Sequence, residues 1–231
     1  MLNTLGVKAV IDWLGIKKEK SFLAKSNSKK LHEYPNMQYK QGKNTYGVVG
    51  DCGVVAIVNA MNYVMKRKKY TEQYMIKRII KMGEAHIEGK EMSISEARTY
   101  QVIISEISRE RILAIIFGNV DTNNIIDMTK EDSSCVIIDV YSSCLFNLKE
   151  EGKRDHAIVV LKPYTISKEV KGFDIVDSGG GTSYVTIEQF NEMFYARYKN
   201  EPRIIVKVES KPMRVAENRH YNRQYRSEVV D

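Results

Sequence analysis

The apolar positions of the chain follow a helical spacing in its first half and a strand-like spacing in its second half. From residue 52 onward, apolar side chains recur at positions 54, 57, 58, 61, 64 and 65, which predicts a helix with one buried face. The same spacing recurs over residues 70–88 and 93–107, and a shorter amphipathic stretch covers residues 7–14. The pattern therefore predicts three helices between residues 52 and 107, preceded by a short one.

Short apolar runs rich in β-branched residues predict strands in the second half. A helix is the alternative for the first of these four runs, which cover residues 111–118, 135–141, 155–161 and 171–177. Thr186 is a suitable N-cap for a helix over residues 187–198, and residues 202–208 alternate apolar and polar positions as a closing strand does. The predicted fold class is α+β, with a helical half packed on an antiparallel sheet.

The two ends of the chain differ in composition from its middle. Residues 24–47 are rich in Ser, Asn, Lys and Gly, and residues 210–231 are charged and contain few aliphatic side chains. We therefore expect an N-terminal helical and linker segment over residues 1–33, a folded domain over residues 34–209, and a basic tail over residues 210–231.

Cys52 lies at the predicted start of the first long helix. Gly50 and Asp51 precede it as helix-entry residues, and Asp51 is expected to accept hydrogen bonds from the free N–H groups of the first turn. A cationic run over residues 66–69 follows the predicted helix end, as the helix dipole prefers. The positive end of that dipole favours the thiolate that a nucleophilic cysteine needs. The alternative is a small buried cysteine that begins a core helix.

A predicted hairpin brings a histidine and an aspartate together. If Leu161 pairs near Phe173, His156 lies directly opposite Asp177, and opposed side chains of antiparallel strands are roughly 5 Å apart. An imidazole oriented by a carboxylate is the base that activates a cysteine nucleophile. The alternative for each residue alone is a structural role, with His156 as a histidine at the end of a strand and Asp177 as a turn residue before glycines. Together with Cys52, the two residues form a candidate triad.

These residues resemble the papain-like cysteine peptidase superfamily, and most of all the bacteriocin-processing (double-glycine leader) cysteine peptidases. Asp51-Cys52-Gly53 is similar to that family's nucleophile motif, and His156 with its apolar tail is similar to its histidine strand. Ile175-Val176-Asp177, followed by Val185 to Phe190, is similar to its aspartate strand and the next helix. The similarity covers about residues 38–208. It implies a papain-like fold, a Cys-His-Asp triad, a peptide or protein substrate, and no cofactor.

Two departures from this family concern the oxyanion hole and the spacing. The family carries a glutamine some six residues ahead of the nucleophile, where this chain has Tyr46. Gln41 is our first candidate for the missing amide donor, with Asn44 and Gln38 as alternatives. The stretch between Cys52 and His156 is longer than the family uses, so we expect an insertion there.

Composition narrows the remaining classes of function. Three cysteines, Cys52, Cys135 and Cys144, are too few for a disulfide framework and match no zinc-binding spacing. The net charge of +7 is spread among acidic residues without a nucleic-acid motif, so nucleic-acid binding is not expected. Neither a membrane span nor a signal peptide is predicted. We expect a protein that works in the cytoplasm, or one that is delivered or secreted without a classical signal peptide.

The resulting prediction is a cysteine peptidase that cleaves a peptide bond. The alternative enzyme is a deamidase or transglutaminase acting on a glutamine side chain, and the alternative outside enzymes is a papain-fold binding module that has lost activity. Two biological settings fit a stand-alone peptidase. A bacterial effector or toxin domain would be accompanied by a protein inhibitor or immunity partner, and a leader-processing enzyme by its precursor peptide.

Overall fold

Five helices and eight strands make up the described part of the chain. The computed structural model describes residues 44–84, 86–88, 90–94, 96–109, 111–141, 155–178, 181–199 and 202–211. The helices are α1 Cys52–Val64, α2 Glu72–Met82, α3 Ala97–Ser108, α4 Thr122–Met128 and α5 Ile187–Arg197. The strands are β1 His86–Glu88, β2 Glu91–Ser93, β3 Ile112–Phe117, β4 Ser134–Tyr141, β5 Asp155–Ile166, β6 Glu169–Asp177, β7 Gly181–Thr186 and β8 Ile205–Ser210.

Local capping residues set the helix ends. The Thr71 hydroxyl accepts from the N–H of Tyr74 at the start of α2, and Gly83, with a φ of +72°, ends that helix. The helix predicted over residues 70–88 is therefore too long, because a left-handed glycine stops it. Beyond Gly83, β1 and β2 form a small antiparallel hairpin instead.

The capping prediction for the last helix is confirmed. The Thr186 hydroxyl accepts from the N–H of Gln189 over 3.2 Å, and the Gln189 side chain accepts from the N–H of Thr186 over 3.0 Å. Two free donors of the first turn are satisfied reciprocally in this capping box. The helix α5 begins directly after it.

Six strands form one antiparallel sheet, in the order β3-β8-β4-β5-β6-β7. The helical alternative for residues 111–118 is wrong, because this segment forms β3 and pairs with β8. The predicted closing strand is β8, and it lies inside the sheet, between β3 and β4. The predicted α+β fold class, with a helical half packed on an antiparallel sheet, is confirmed.

Both faces of the sheet are covered. One face carries Ile137, Val159 and Val176 and packs with α1, α2 and α3 in one apolar cluster. The opposite face carries Ile138, Val160 and Ile175 and packs with α4 and α5 in a second cluster. Strands buried on both faces have continuous apolar sequences, which is why residues 135–141 and 155–161 show little alternation.

The hairpin of β5 and β6 has a different register from the predicted one. Its turn lies at Ser167 and Lys168, which both have positive φ, so both strands extend beyond the predicted runs. Asp177 faces Ile158 across the ladder. The prediction that His156 lies directly opposite Asp177 is therefore wrong by two residues, and the two side chains are diagonal neighbours.

Parts of the predicted domain division lie outside the described residues. These are the N-terminal segment over residues 1–33, residues 34–43 of the predicted folded domain, and the tail from residue 212 onward. Cys144, in the segment between β4 and β5, also lies outside them. None of the helices in the described ranges has the length and apolar character needed to cross a bilayer.

Candidate active site

Cys52 begins α1, and its helix is otherwise enclosed. Every residue from Gly53 to Val64 is buried, whereas Cys52 itself is partly exposed. The first hydrogen bond of the helix runs from the N–H of Val55 to the carbonyl of Asp51. Because the first N–H groups of a helix have no acceptor within it, the N–H of Cys52 is free of the helical ladder. The thiol thus lies beside a backbone donor at the accessible end of a rigid helix.

His156 and Asp177 meet at the ends of their strands. The Nε2 of His156 lies 2.5 Å from Oδ1 of Asp177, a carboxylate that is fully buried. The Ser178 hydroxyl is 3.3 Å from the same Nε2. The imidazole is also hydrogen-bonded to Cys52. Since Nε2 is directed at Asp177, Nδ1 is the ring nitrogen that remains for the thiol.

The surroundings of His156 favour its charged form. Burial is the largest influence and lowers the pKa of His156, but the hydrogen bonds and charges of Asp177 and Cys52 outweigh it. Together they raise the pKa from 6.5 to about 9. The imidazolium is therefore the dominant form at neutral pH, positioned between a carboxylate and a thiol.

Asp51 does not have the capping role predicted for it. Its side chain makes no capping hydrogen bond to α1; instead Oδ2 accepts from Nδ2 of Asn44 over 3.2 Å, and the carboxyl bonds to Glu72 on α2. Burial, followed by the hydrogen bond to Asp51, raises the pKa of Glu72 to about 8. A protonated Glu72 therefore donates to Asp51 at neutral pH, and this pairing draws the Asp51 carboxyl away from the helix.

Of the three amide candidates for the oxyanion hole, Asn44 alone is described. Its Nδ2 donates to the carbonyl of Val48 over 2.8 Å and is also within 3.1 Å of Glu72 Oε1. Its Oδ1 accepts from the N–H of Val48 over 3.0 Å. This side chain is thus committed to holding the segment before Cys52. Gln41 and Gln38 lie outside the described residues, so the choice of Gln41 stays a prediction.

Sequence reasoning missed three side chains around the triad. Ser178 touches His156, and the buried Tyr100 on α3 is hydrogen-bonded nearby to the partly buried Asp139 on β4. Asp139 could have been identified from the sequence, because it is the one charged residue in the otherwise apolar strand over residues 135–141. A charge at such a position needs a buried partner. Tyr100 fits the helical pattern of α3, and nothing in the sequence distinguishes it from core packing.

The other described cysteine is of a different kind. Cys135 is fully buried in β4, its Sγ lies 3.9 Å from the carbonyl of Ala60, and burial raises its pKa. Such a thiol is inert. Within the described ranges, no three His, Cys, Asp or Glu side chains are grouped so that they could hold a metal ion.

No family model matches the chain, and no curated protein matches it. Among solved structures, the chain is similar to a double-glycine-motif protease from an AMS/PCAT transporter, determined in complex with the leader peptide. The sequence identity is 12% and the TM-score is 0.40, over 69% of this chain and 84% of that one.

Proposed function

We propose that the chain is a cysteine peptidase in which Cys52 is the nucleophile, His156 the acid and base, and Asp177 the residue that orients the imidazole. The observation that carries the proposal is the hydrogen-bonded series of thiol, imidazole and buried carboxylate. An imidazole bound on both sides in this way is held in one orientation, as nucleophilic catalysis requires.

The reaction follows from the protonation states. The Cys52 thiolate attacks the carbonyl carbon of a peptide bond, and the carbonyl oxygen becomes an oxyanion that the N–H of Cys52 stabilises. The His156 imidazolium gives its proton to the leaving amine, which departs and leaves a thioester. His156, now neutral, takes a proton from water, and the resulting hydroxide equivalent attacks the thioester. The products are a carboxylic acid and an amine, with thiolate and imidazolium restored.

Asp177 has a specific part in this cycle. Because its carboxylate faces Nε2, it favours the tautomer in which Nδ1 exchanges protons with sulfur, leaving amine and water. Ser178 adds a second contact to the same nitrogen. The ring is thereby kept from rotating between the two halves of the reaction.

Selective labelling of Cys52 tests the proposal without a known substrate. Wild-type protein is treated with a thiol-directed, peptidase-class epoxide, and the modified cysteine is identified by peptide mapping. We expect modification of Cys52 in preference to Cys135 and Cys144. Because burial alone protects Cys135, the rate at Cys52 is also compared with that of free cysteine, and His156→Ala should remove the excess over that rate. A Cys52 rate in folded wild-type protein that does not exceed the rate of free cysteine would contradict the proposal and favour an inactive binding module.

A peptide library then separates peptide cleavage from side-chain chemistry. We expect new amino termini with wild-type protein and none with Cys52→Ala. Since a small thiol at a helix end is removed, Cys52→Ala should keep its unfolding free energy within about 1 kcal/mol of wild type. Release of ammonia without new termini would instead indicate a glutamine deamidase.

A further inference from the structure

A pair of side chains, the buried Tyr100 and the partly buried Asp139, joins the two parts of the candidate active site. Tyr100 lies on α3 and is 2% exposed, and its hydroxyl donates to the carbonyl of Ile94 over 3.1 Å. The carboxyl group of Asp139 on β4 faces the same hydroxyl, so the one O–H proton is shared between the Ile94 carbonyl and this carboxyl group. The pair therefore connects the helical half, which carries the thiol, with the sheet, which carries the imidazole.

The Tyr100 hydroxyl also supports the first turn of α1. A Cβ placed on Gly53 would lie 2.8 Å from this hydroxyl, closer than real Cβ atoms come to another atom. The residue directly after Cys52 is thus in contact with Tyr100. The charge of Cys52 acts on Tyr100 as well, so the hydroxyl is close to the thiol and the helix start.

Asp139 lies beside His156 in the sheet. Its neighbour Val140 pairs with His156, and Asp139 itself pairs with Ala157. Among the influences on Asp139 is the charge of His156. A displacement of Asp139 would therefore be transmitted to the strand position that carries the imidazole.

An ion pair between α5 and β5 lies near enough to Asp139 for both of its charges to act on that carboxyl group. The Nε of Arg197 is 2.9 Å from Oδ1 of Asp155, and its Nη2 donates to Oδ2 over 3.1 Å. The guanidinium also stacks on the rings of Tyr141 and Tyr198, at 5.5 Å and 5.4 Å. Asp155 directly precedes His156, so this pair fixes the start of β5.

We propose that Tyr100 and Asp139 are positioning residues that set the contact between the Cys52 thiol and the His156 imidazole. The inference rests on the proposed function. Neither residue touches the substrate carbonyl in the mechanism above. Their hydrogen bond fixes the helix start relative to the strand, and the Asp139 carboxylate supports the imidazolium.

The protonation of Asp139 gives this role a measurable signature. Burial and then the charge of Asp155 raise the pKa of Asp139 to about 7, while Arg197, the Tyr100 hydrogen bond and His156 oppose the shift. Burial first, and then Asp139, raise the pKa of Tyr100, so its hydroxyl stays protonated as a donor. Cys52 reactivity should therefore rise through about pH 7, as Asp139 becomes charged and supports the imidazolium.

The test measures alkylation of Cys52 by iodoacetamide between pH 5 and 10, with Cys52 resolved by peptide mapping. Asp139→Asn should lower the rate at pH 8 by about tenfold to a hundredfold, the order expected when reacting groups shift by up to 1 Å, and should remove the rise near pH 7. Tyr100→Phe should lower the rate similarly. It should also move the rise to higher pH, because the hydrogen bond that holds the Asp139 pKa down is lost.

Two matched variants control for the loss of a buried polar group. Tyr63→Phe removes a buried hydroxyl that donates to the carbonyl of Leu161 over 3.3 Å, and Asp174→Asn neutralises a buried carboxyl on β6. Neither should change the profile. If Asp139→Asn and Tyr100→Phe match these controls while His156→Ala abolishes the enhanced reactivity, the positioning role is refuted and the proposed function stands. If His156→Ala leaves the wild-type profile unchanged, both are refuted.

Discussion

The raised pKa of His156 leads to a quantitative prediction about the triad. Its pKa lies about 2.5 pH units above the usual 6.5, which corresponds to about 3 kcal/mol in favour of the imidazolium. Burial opposes this form, so Asp177 and Cys52 must together contribute more than that net amount. Removing one partner should lower the pKa by at least about 1 unit, and removing both should lower it below 6.5, since burial then acts alone.

The raised pKa of His156 also determines how the free energy of unfolding changes with pH. The folded-state pKa of His156 is above the unfolded-state value, so its stabilising contribution is complete below about pH 6.5 and is lost as the pH rises through about 9. We therefore expect the difference in unfolding free energy between wild type and His156→Gln to shrink by about 3 kcal/mol between pH 6 and pH 10.

Nuclear magnetic resonance of the histidine rings measures the pKa directly. The chain contains four histidines, so the His156 signal is assigned by its absence in His156→Gln. The titration is repeated in Asp177→Asn and in Cys52→Ala, and chemical denaturation of the same samples gives the stability difference. A wild-type pKa at or below 6.5, or an unchanged pKa in both variants, would show that the contacts of His156 do not support an imidazolium.

Three further predictions concern the neighbouring residues. Gln41→Ala should lower the acylation rate about a hundredfold with little change in substrate affinity, because an oxyanion donor acts only in the transition state; an unchanged rate would exclude Gln41. Because the pKa of Glu72 is raised to about 8, its contribution makes wild-type stability fall as the pH rises from about 4.5 to 8, and Glu72→Gln should make this fall shallower in denaturation experiments; a fall of the same slope in the variant would exclude Glu72 as a source. Gly53→Ala should cost about 1–3 kcal/mol of unfolding free energy and less in a Tyr100→Phe background, where part of the clash is relieved; equal costs in both backgrounds would mean that Tyr100 does not restrict residue 53.

Strong local signals explain which elements were predictable. The spacing of α1, the apolar runs of β4, β5 and β6, and the Thr186 cap of α5 are all visible in the sequence. The helix α4 was missed because it has seven residues, several of them polar, and is held by a capping box at Asp121. The strand β7 was missed because it starts within a glycine-rich stretch, and its pairing with β6 is set by the sheet.

The geometry of the site could not be predicted in full, because it depends on contacts between residues that are far apart in the sequence. His156 and Asp177 were identified from their positions at strand ends, but their register depends on the turn at Ser167 and Lys168, where two non-glycine residues adopt positive φ. The capping role of Asp51 was predicted from helix rules that consider one helix only. The buried Glu72 of a second helix competes for the same carboxyl, and a sequence pattern does not show this contact.

The position of the polar residues follows from the alternating direction of neighbouring strands. In an antiparallel sheet, the end of one strand lies beside the start of the next, and Tyr141 at the end of β4 pairs with Asp155 at the start of β5. The end of β6 returns to the same edge, since Asp177 pairs with Ile158. The apolar pairs in the middle of these strands exclude water from both faces and fix the register. The polar side chains at this end of the strands are thereby held at defined positions opposite the start of α1. The packing of the apolar core therefore also determines the distance between the thiol and the imidazole.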